Sequence, residues 1–210
     1  MQTFYPASFA DQVAIVDMNM RPGPSAFPRP DCPPPFDGCA LGSNPGRTHR
    51  FYTGTPVVKF GFGLSYTTWN YSSAPGTVHV SLDPLRQLLA TKQDHNGVLR
   101  AADVAAAGVA MDGKITVSNT GDLDADDAVL GFLVPPGAGK HGVPLQTLYG
   151  FTRVHVKAGQ SVTVRIPAQY TDFSAVGRDG GRRALAGTWT ARFGVAAPGM
   201  GHVDHAVEAV

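Results

Sequence analysis

Charge is scarce in this 210-residue sequence. Asp, Glu, Lys and Arg make up 16% of it and sum to a net charge of +1, against about a quarter charged in an ordinary soluble domain. There is no block of like charge, so the basic footprint of a nucleic-acid binder is missing. No apolar run approaches the length of a transmembrane helix. The opening MQTFYPASFADQV lacks a basic segment followed by an apolar one, so no signal peptide is visible in the chain. Cysteine is nearly absent. Two thiols are too few for a structural zinc site, and the C-x-x-C spacing of redox catalysts does not occur.

Several chemical motifs are also absent on close reading. Ser65 has no Gly-x-Ser-x-Gly context for a hydrolase elbow. Gly137-Ala138-Gly139-Lys140-His141 lacks the earlier Gly and the Ser or Thr after Lys that a phosphate loop needs. Asp122, Asp124 and Asp126 start like a calcium loop. However, Asp127 stands where that loop needs Gly and Leu133 where it needs Glu, so a solvated acidic turn is expected. His202, Asp204 and His205 fall in a segment, 197–210, that shows no clear strand and reads as a mobile tail. No metal site and no cofactor is expected.

What is present is punctuation. Gly (25) and Pro (17) together make a fifth of the chain, and they concentrate over residues 22–46; residues 21–46 should form a long loop. Cys32 and Cys39 lie inside that stretch, and a disulfide closing a small Pro-rich loop is the structural reading. Asn70-Tyr71-Ser72 is an N-glycosylation sequon. With the cysteine pair it leans towards an extracellular or lumenal setting.

Hydrophobic residues make up 43%, enough for a core. Gln12–Met18 reads as one buried strand, and a short β-prone stretch surrounds Pro56. Lys59–Tyr66 alternates aromatic and Gly, which suits an extended crossing better than a helix. From residue 67 short strands recur between turn signals: 67–71, 77–82, 114–119, 128–134, 147–156, 162–167 and 187–195. Val162-Thr163-Val164-Arg165-Ile166 and Thr188-Trp189-Thr190-Ala191-Arg192-Phe193 alternate with period two. About seven such strands predict an antiparallel β-sandwich of immunoglobulin-like architecture. Asp83 as a cap and Pro84 in the first turn predict a helix over 84–92, inserted at one end.

The residues also carry a resemblance. Phe4–Val13, then Asp17-Met18-Asn19-Met20-Arg21-Pro22, then Asn44-Pro45-Gly46-Arg47-Thr48-His49-Arg50-Phe51-Tyr52, resemble plant-type and fungal β-xylosidases of glycoside hydrolase family 3. Phe60-Gly61-Phe62-Gly63-Leu64-Ser65-Tyr66-Thr67 is similar to the block that joins the family's α/β sandwich domain to its last domain. Val117–Gly121, Asp126–Leu130 and Leu148–Val154 resemble its fibronectin type III-like domain. The match runs over residues 3–20, 44–72 and 113–196. Two departures stand out: residues 23–43 form a longer insertion, and His49 replaces a common Tyr.

The resemblance implies a division into three: residues 1–66 as the remnant of an α/β sandwich domain, 67–196 as the fibronectin type III-like domain, and the tail. It also implies that the Asp nucleophile and the Glu acid/base lie upstream. Retaining hydrolysis needs two carboxyls about 5–5.5 Å apart, and nothing in this chain is expected to supply them. The expected role is a non-catalytic structural portion of a secreted glycosidase acting on β-xylosides or β-glucosides, with upstream catalytic domains or a partner chain covering residues 1–66. The alternative is a stand-alone carbohydrate- or protein-binding module, or a subunit, derived from such an enzyme. Arg47, Arg50 and Tyr52 are the candidate sugar contacts, because a guanidinium beside an aromatic ring suits hydroxyl gripping and pyranose stacking. The competing reading is that both arginines hold loops and Tyr52 packs.

Overall fold

A computed structural model describes residues 3–35, 37–92, 98–177, 179–197 and 199–210. The chain divides into two compact units, Met1–Phe62 and Gly63–Val210.

The second unit is built on seven long or medium strands and several short ones. β3 (Trp69–Ser72), β5 (Val109–Asn119) and β8 (Ser161–Gln169) form a three-stranded sheet in the order β3-β5-β8. β4 (Val78–Val80), β6 (Ala125–Val134), β7 (Thr147–Val156), β11 (Gly187–Gly194) and β12 (His202–Ala209) form a five-stranded sheet in the order β4-β12-β11-β6-β7. Pairing is antiparallel except where β4 lies beside β12. Period-two alternation turns Met111, Ile115 and Val117 of β5 inward, to meet Ile166, Val129, Trp189, Phe193 and Val207 in one buried cluster. That is the sandwich the strand rhythm predicts. The seven expected strands are all there, and β5 starts earlier than its apolar run suggests because Gly113 and Asp112 continue the ladder to β8.

The expected helix appears as α3 (Asp83–Ala90), with Leu85 buried. Asp83 does not cap it. It is the first helical residue, and its own N–H donates to Ser81 Oγ. A second helix, α4 (Ala101–Ala107), was not expected. Its Ala-rich sequence offers no apolar stripe to read, but alanine has the highest helix propensity and Asp103 accepts the Arg100 N–H at 2.8 Å. A short hairpin, β9 (Ser174–Val176) with β10 (Arg182–Ala184), was also unforeseen.

The tail reading is wrong. Residues 202–209 are β12, an internal strand flanked by β4 and β11. Val203, Val207 and Ala209 alternate with His202, Asp204 and Glu208. The pattern is present in the sequence, but its apolar members are few and small, so the strand gains most of its stability from two neighbours.

The first unit is sparser. It holds α1 (Ser8–Gln12), the one-turn α2 (Thr48–Phe51) and a two-stranded hairpin, β1 (Gly23–Pro28) with β2 (Leu41–Asn44). Two expectations fail here. The segment read as a long loop contains that hairpin, because Ser25 and Asn44 find buried positions on it. The segment 12–18 is not a strand. Gln12 ends α1, and the chain then turns, with no strand pairing among the described residues. A β-strand needs a hydrogen-bonded neighbour, so the apolar run leaves Ile15 92% and Met18 81% exposed. Residues 60–66 form neither helix nor strand, and Phe4 bridges Val58.

Candidate functional site

The site begins with the turn Asn44-Pro45-Gly46. The Asn44 side chain donates to the Asn19 carbonyl at 2.8 Å and accepts the Gly46 N–H at 2.8 Å, which ties it to the segment before the insertion. Gly46 has φ of +88°, and a Cβ there would run into the Phe51 carbonyl, so only Gly closes this turn. Thr48 also adopts positive φ, at 63°, an unusual state for a β-branched residue. Its N–H donates to Tyr5 Oη at 2.6 Å.

Aromatic rings fill the space beneath. Tyr5 stacks on Phe9 with centroids 4.2 Å apart and meets Tyr52 edge-on at 4.9 Å. Arg47 lies over Phe9, its carbon centre 5.4 Å from the ring centroid, and donates from Nη2 to the Asp17 carbonyl at 2.7 Å. Arg21 and Arg50 both approach Phe51, at 5.3 and 5.2 Å. His49 stacks on Phe60 at 4.1 Å. Burial, with a smaller contribution from Arg50, holds its pKa down to about 4, so His49 is neutral at physiological pH.

Asp17 is covered but lies close to the surface of this small unit. The Asn19 backbone N–H, 2.9 Å from Oδ1, holds its carboxyl below the usual range. The Ser25 and Asn44 side chains favour the charged form to a lesser degree, yet neither closes a hydrogen bond to Oδ2.

The three candidate sugar contacts do not converge. Arg50 lines an open cleft of about 470 Å³ with Tyr5, Met20, Thr48 and His49. Arg47 instead lines a larger apolar cleft of about 650 Å³, with Phe9, Val13, Ile15, Val16 and Phe27. Tyr52 is 9% exposed and edge-on to both Tyr5 and Phe9. Asp17 and Asn44, which organise the turn, were not singled out in the sequence. The Asn-Pro-Gly turn signal was the one available clue to Asn44.

A disulfide joins Cys32 and Cys39, with Cα atoms 6.1 Å apart, in the connection between β1 and β2. Asn70 and Ser72 lie exposed on β3, with Tyr71 buried between them.

The carboxylates of the second unit are engaged in holding it together. Asp124 accepts the Ala158 N–H at 2.8 Å. Asp126 joins His155 and Arg153, each at 2.6 Å, and both lower its pKa, His155 the more. Asp127 accepts from the Tyr71 hydroxyl and from the Ala128 N–H. Burial raises its pKa despite those donors. Asp204 forms a two-pronged pair with Arg192 at 2.8 and 2.7 Å, while His205 points to the opposite side of β12 and meets Ser73. Among the described residues, no group of three or more His, Cys, Asp and Glu is placed to hold a metal ion.

Comparison with known proteins gives this geometry a context. A fibronectin type III-like domain model matches residues 128–196. Probable β-D-xylosidase 6 of Arabidopsis thaliana is 33% identical over 192 residues, which cover 87% of this chain and 22% of that protein. Probable exo-1,4-β-xylosidase xlnD of Aspergillus niger is 30% identical over 188 residues, covering 89% and 20%. The solved structure of a GH3 exo-β-xylosidase, XlnD, in complex with a xylobiose aziridine probe superimposes with a TM-score of 0.68 at 25% identity. It covers 100% of this chain, which corresponds to 24% of that one. The chain therefore spans about a fifth of the length of the curated relatives it matches. It belongs to glycoside hydrolase family 3 and corresponds to the C-terminal portion of such an enzyme, with its fibronectin type III-like domain.

Proposed function

We propose that this chain is the structural, non-catalytic end of a secreted glycosidase that hydrolyses β-xylosides or β-glucosides during polysaccharide breakdown. The observation that carries the reading is the match itself. Nearly nine-tenths of the chain aligns with only a fifth of enzymes named as xylosidases. The apolar surface of the first unit supports it. Ile15, Val16, Met18, Leu41 and Val57 are all more than half exposed, more than a self-sufficient surface usually shows in one small unit. Upstream catalytic domains, or a partner chain that supplies them, are the proposed cover. Within this reading Arg50, in the cleft whose lining residues are the more polar, is the candidate sugar contact, while Arg47 holds a loop through the Asp17 carbonyl and Tyr52 packs against Tyr5 and Phe9.

The test is direct. The purified chain, incubated with an aryl β-xyloside or β-glucoside, releases no product above background. Clear turnover by this chain alone would overturn the reading.

One observation favours the second reading, a carbohydrate-binding module. Phe151 is 72% exposed on β7, next to Arg153 and His155 on the same side of the strand. Affinity electrophoresis through soluble xylan discriminates the two. Retardation that disappears in Phe151→Ala supports the module, and unretarded migration supports the structural portion.

A further inference from the structure

One sequence motif plays no part in the structural role proposed above. Asn70-Tyr71-Ser72 is the only Asn-x-Ser/Thr triplet in the 210 residues, and it sits on β3, at one edge of the three-stranded sheet. A strand alternates its side chains with period two. Asn70 and Ser72 therefore share the outer face, while Tyr71 is buried in the core. Both groups that the modification requires are exposed, although the residue between them is not.

The surroundings leave room for a sugar. Asn70 pairs with Ser118, which pairs with Ser161, and Ser72 pairs with Thr116, which pairs with Thr163. Apart from Asn70 itself, these two rows carry nothing longer than Thr. Their hydroxyls satisfy one another, Ser118 with Ser161 at 2.8 Å and Thr116 with Thr163 at 3.3 Å. The charged members of this face, Lys114, Arg165 and Asp112, stand at the end of the ladder away from Asn70 and pair among themselves. The disulfide between Cys32 and Cys39 is an independent sign of an oxidising compartment.

We propose that Asn70 carries an N-linked oligosaccharide that projects over the hydroxyl face of the three-stranded sheet. The proposal rests on the secreted reading given above. In the transfer step, the Asn70 side-chain nitrogen bonds to C1 of the first sugar of a polyprenyl diphosphate oligosaccharide. The C1–O bond to the diphosphate breaks, the diphosphate leaves with the electron pair, and the amide loses one proton. Two consequences follow. The glycan shields a sheet edge, the usual site of unwanted strand pairing. It also reserves this face for solvent, so association with catalytic domains must use other surfaces.

The full chain, sent through the lumen of a eukaryotic secretory host behind a leader, tests this. Peptide-N-glycosidase treatment is expected to remove one glycan mass and leave Asp at position 70 in the peptide map. Asn70→Gln and Ser72→Ala each abolish the shift, whereas Ser72→Thr keeps it. A secreted chain with Cys32 and Cys39 oxidised but Asn70 unmodified overturns the proposal and leaves the glycosidase reading intact. Turnover of aryl glycosides by the chain alone overturns that reading without touching this one.

Discussion

The two units of this chain solve the problem of stability differently. The second unit closes on itself. Its buried cluster runs from Trp69 to Ala209, draws on both sheets and α3, and includes five large side chains at 0% exposure: Leu82, Leu85, Ile115, Leu133 and Phe173. The first unit buries few apolar residues, chiefly Val13, Phe51 and Tyr52. It relies on stacked rings, guanidinium contacts and the hydrogen bonds of Asn44. Thr3 Oγ1 and Arg47 Nε are buried there without a hydrogen-bond partner, and no such atom occurs in the second unit among the described residues. A domain that folds alone satisfies its polar atoms. The proposed reading, in which upstream domains complete the first unit, gives those atoms partners there.

Mutations can break or sharpen this contrast. The largest effect belongs in the sandwich. Phe173 is fully buried and meets Trp189 edge-on at 5.2 Å. Phe173→Ala is expected to cost about 3–5 kcal/mol, read as a lowered denaturant midpoint of the second unit. Cutting the staple of the insertion comes next. Cys32→Ser is expected to cost about 2–2.5 kcal/mol of local stability on the loop-closure estimate. Faster amide exchange in β1 and β2, with β5 and β8 unchanged, is the readout. An effect on the sandwich strands would mean the two units are energetically coupled.

Tyr71 and Asp127 give the next step. Tyr71→Phe leaves the Asp127 carboxyl without one of its donors, at a cost of about 1–3 kcal/mol. Asp127 also sets a pH dependence. Its folded-state pKa lies above its ordinary value of 3.8, so the folded state holds that proton more tightly than the unfolded state does. Its contribution to stability is largest below 3.8 and declines as pH rises through the folded-state pKa. Asp127→Asn removes this slope, which urea melts across that window would show. The smallest effect is expected at Ile15. Ile15→Ser changes the stability of this chain by less than about 0.5 kcal/mol, yet it weakens association with the catalytic part if that part covers the patch. A large loss of stability in the chain alone would show that Ile15 is already packed.

Legibility followed the same divide. In the sandwich, alternation and turn residues marked most of the seven expected strands, and β6, buried on both faces from Val129 to Leu133, was marked by its apolar run. The readings that failed did so for separate reasons. Gln12–Met18 holds the unbroken apolar run Val13–Val16 and has no hydrogen-bonded strand partner among the described residues to turn it into sheet. The Pro-rich stretch hid a hairpin whose pairing shifts register between Pro24 and Pro28. β12 has the right alternation but reads as a weak strand, since Ala and His stand where larger residues would declare it. The candidate sugar contacts were legible as residue types only. Their distribution over two clefts and a packed ring cluster depends on how α2 turns after Gly46.

By itself, then, the sequence determined the class of the larger unit and the family. Periodicity follows from strand geometry, and the ordered motifs follow from descent. Only the tertiary structure decided that the last strand completes the five-stranded sheet, that the acidic loop is held by Ala158, His155, Arg153 and Tyr71, and that Asn70 and Ser72 face outward together. Those outcomes depend on contacts between residues distant in sequence, Val207 with Val78 and Tyr71 with Asp127 among them, which no local pattern records.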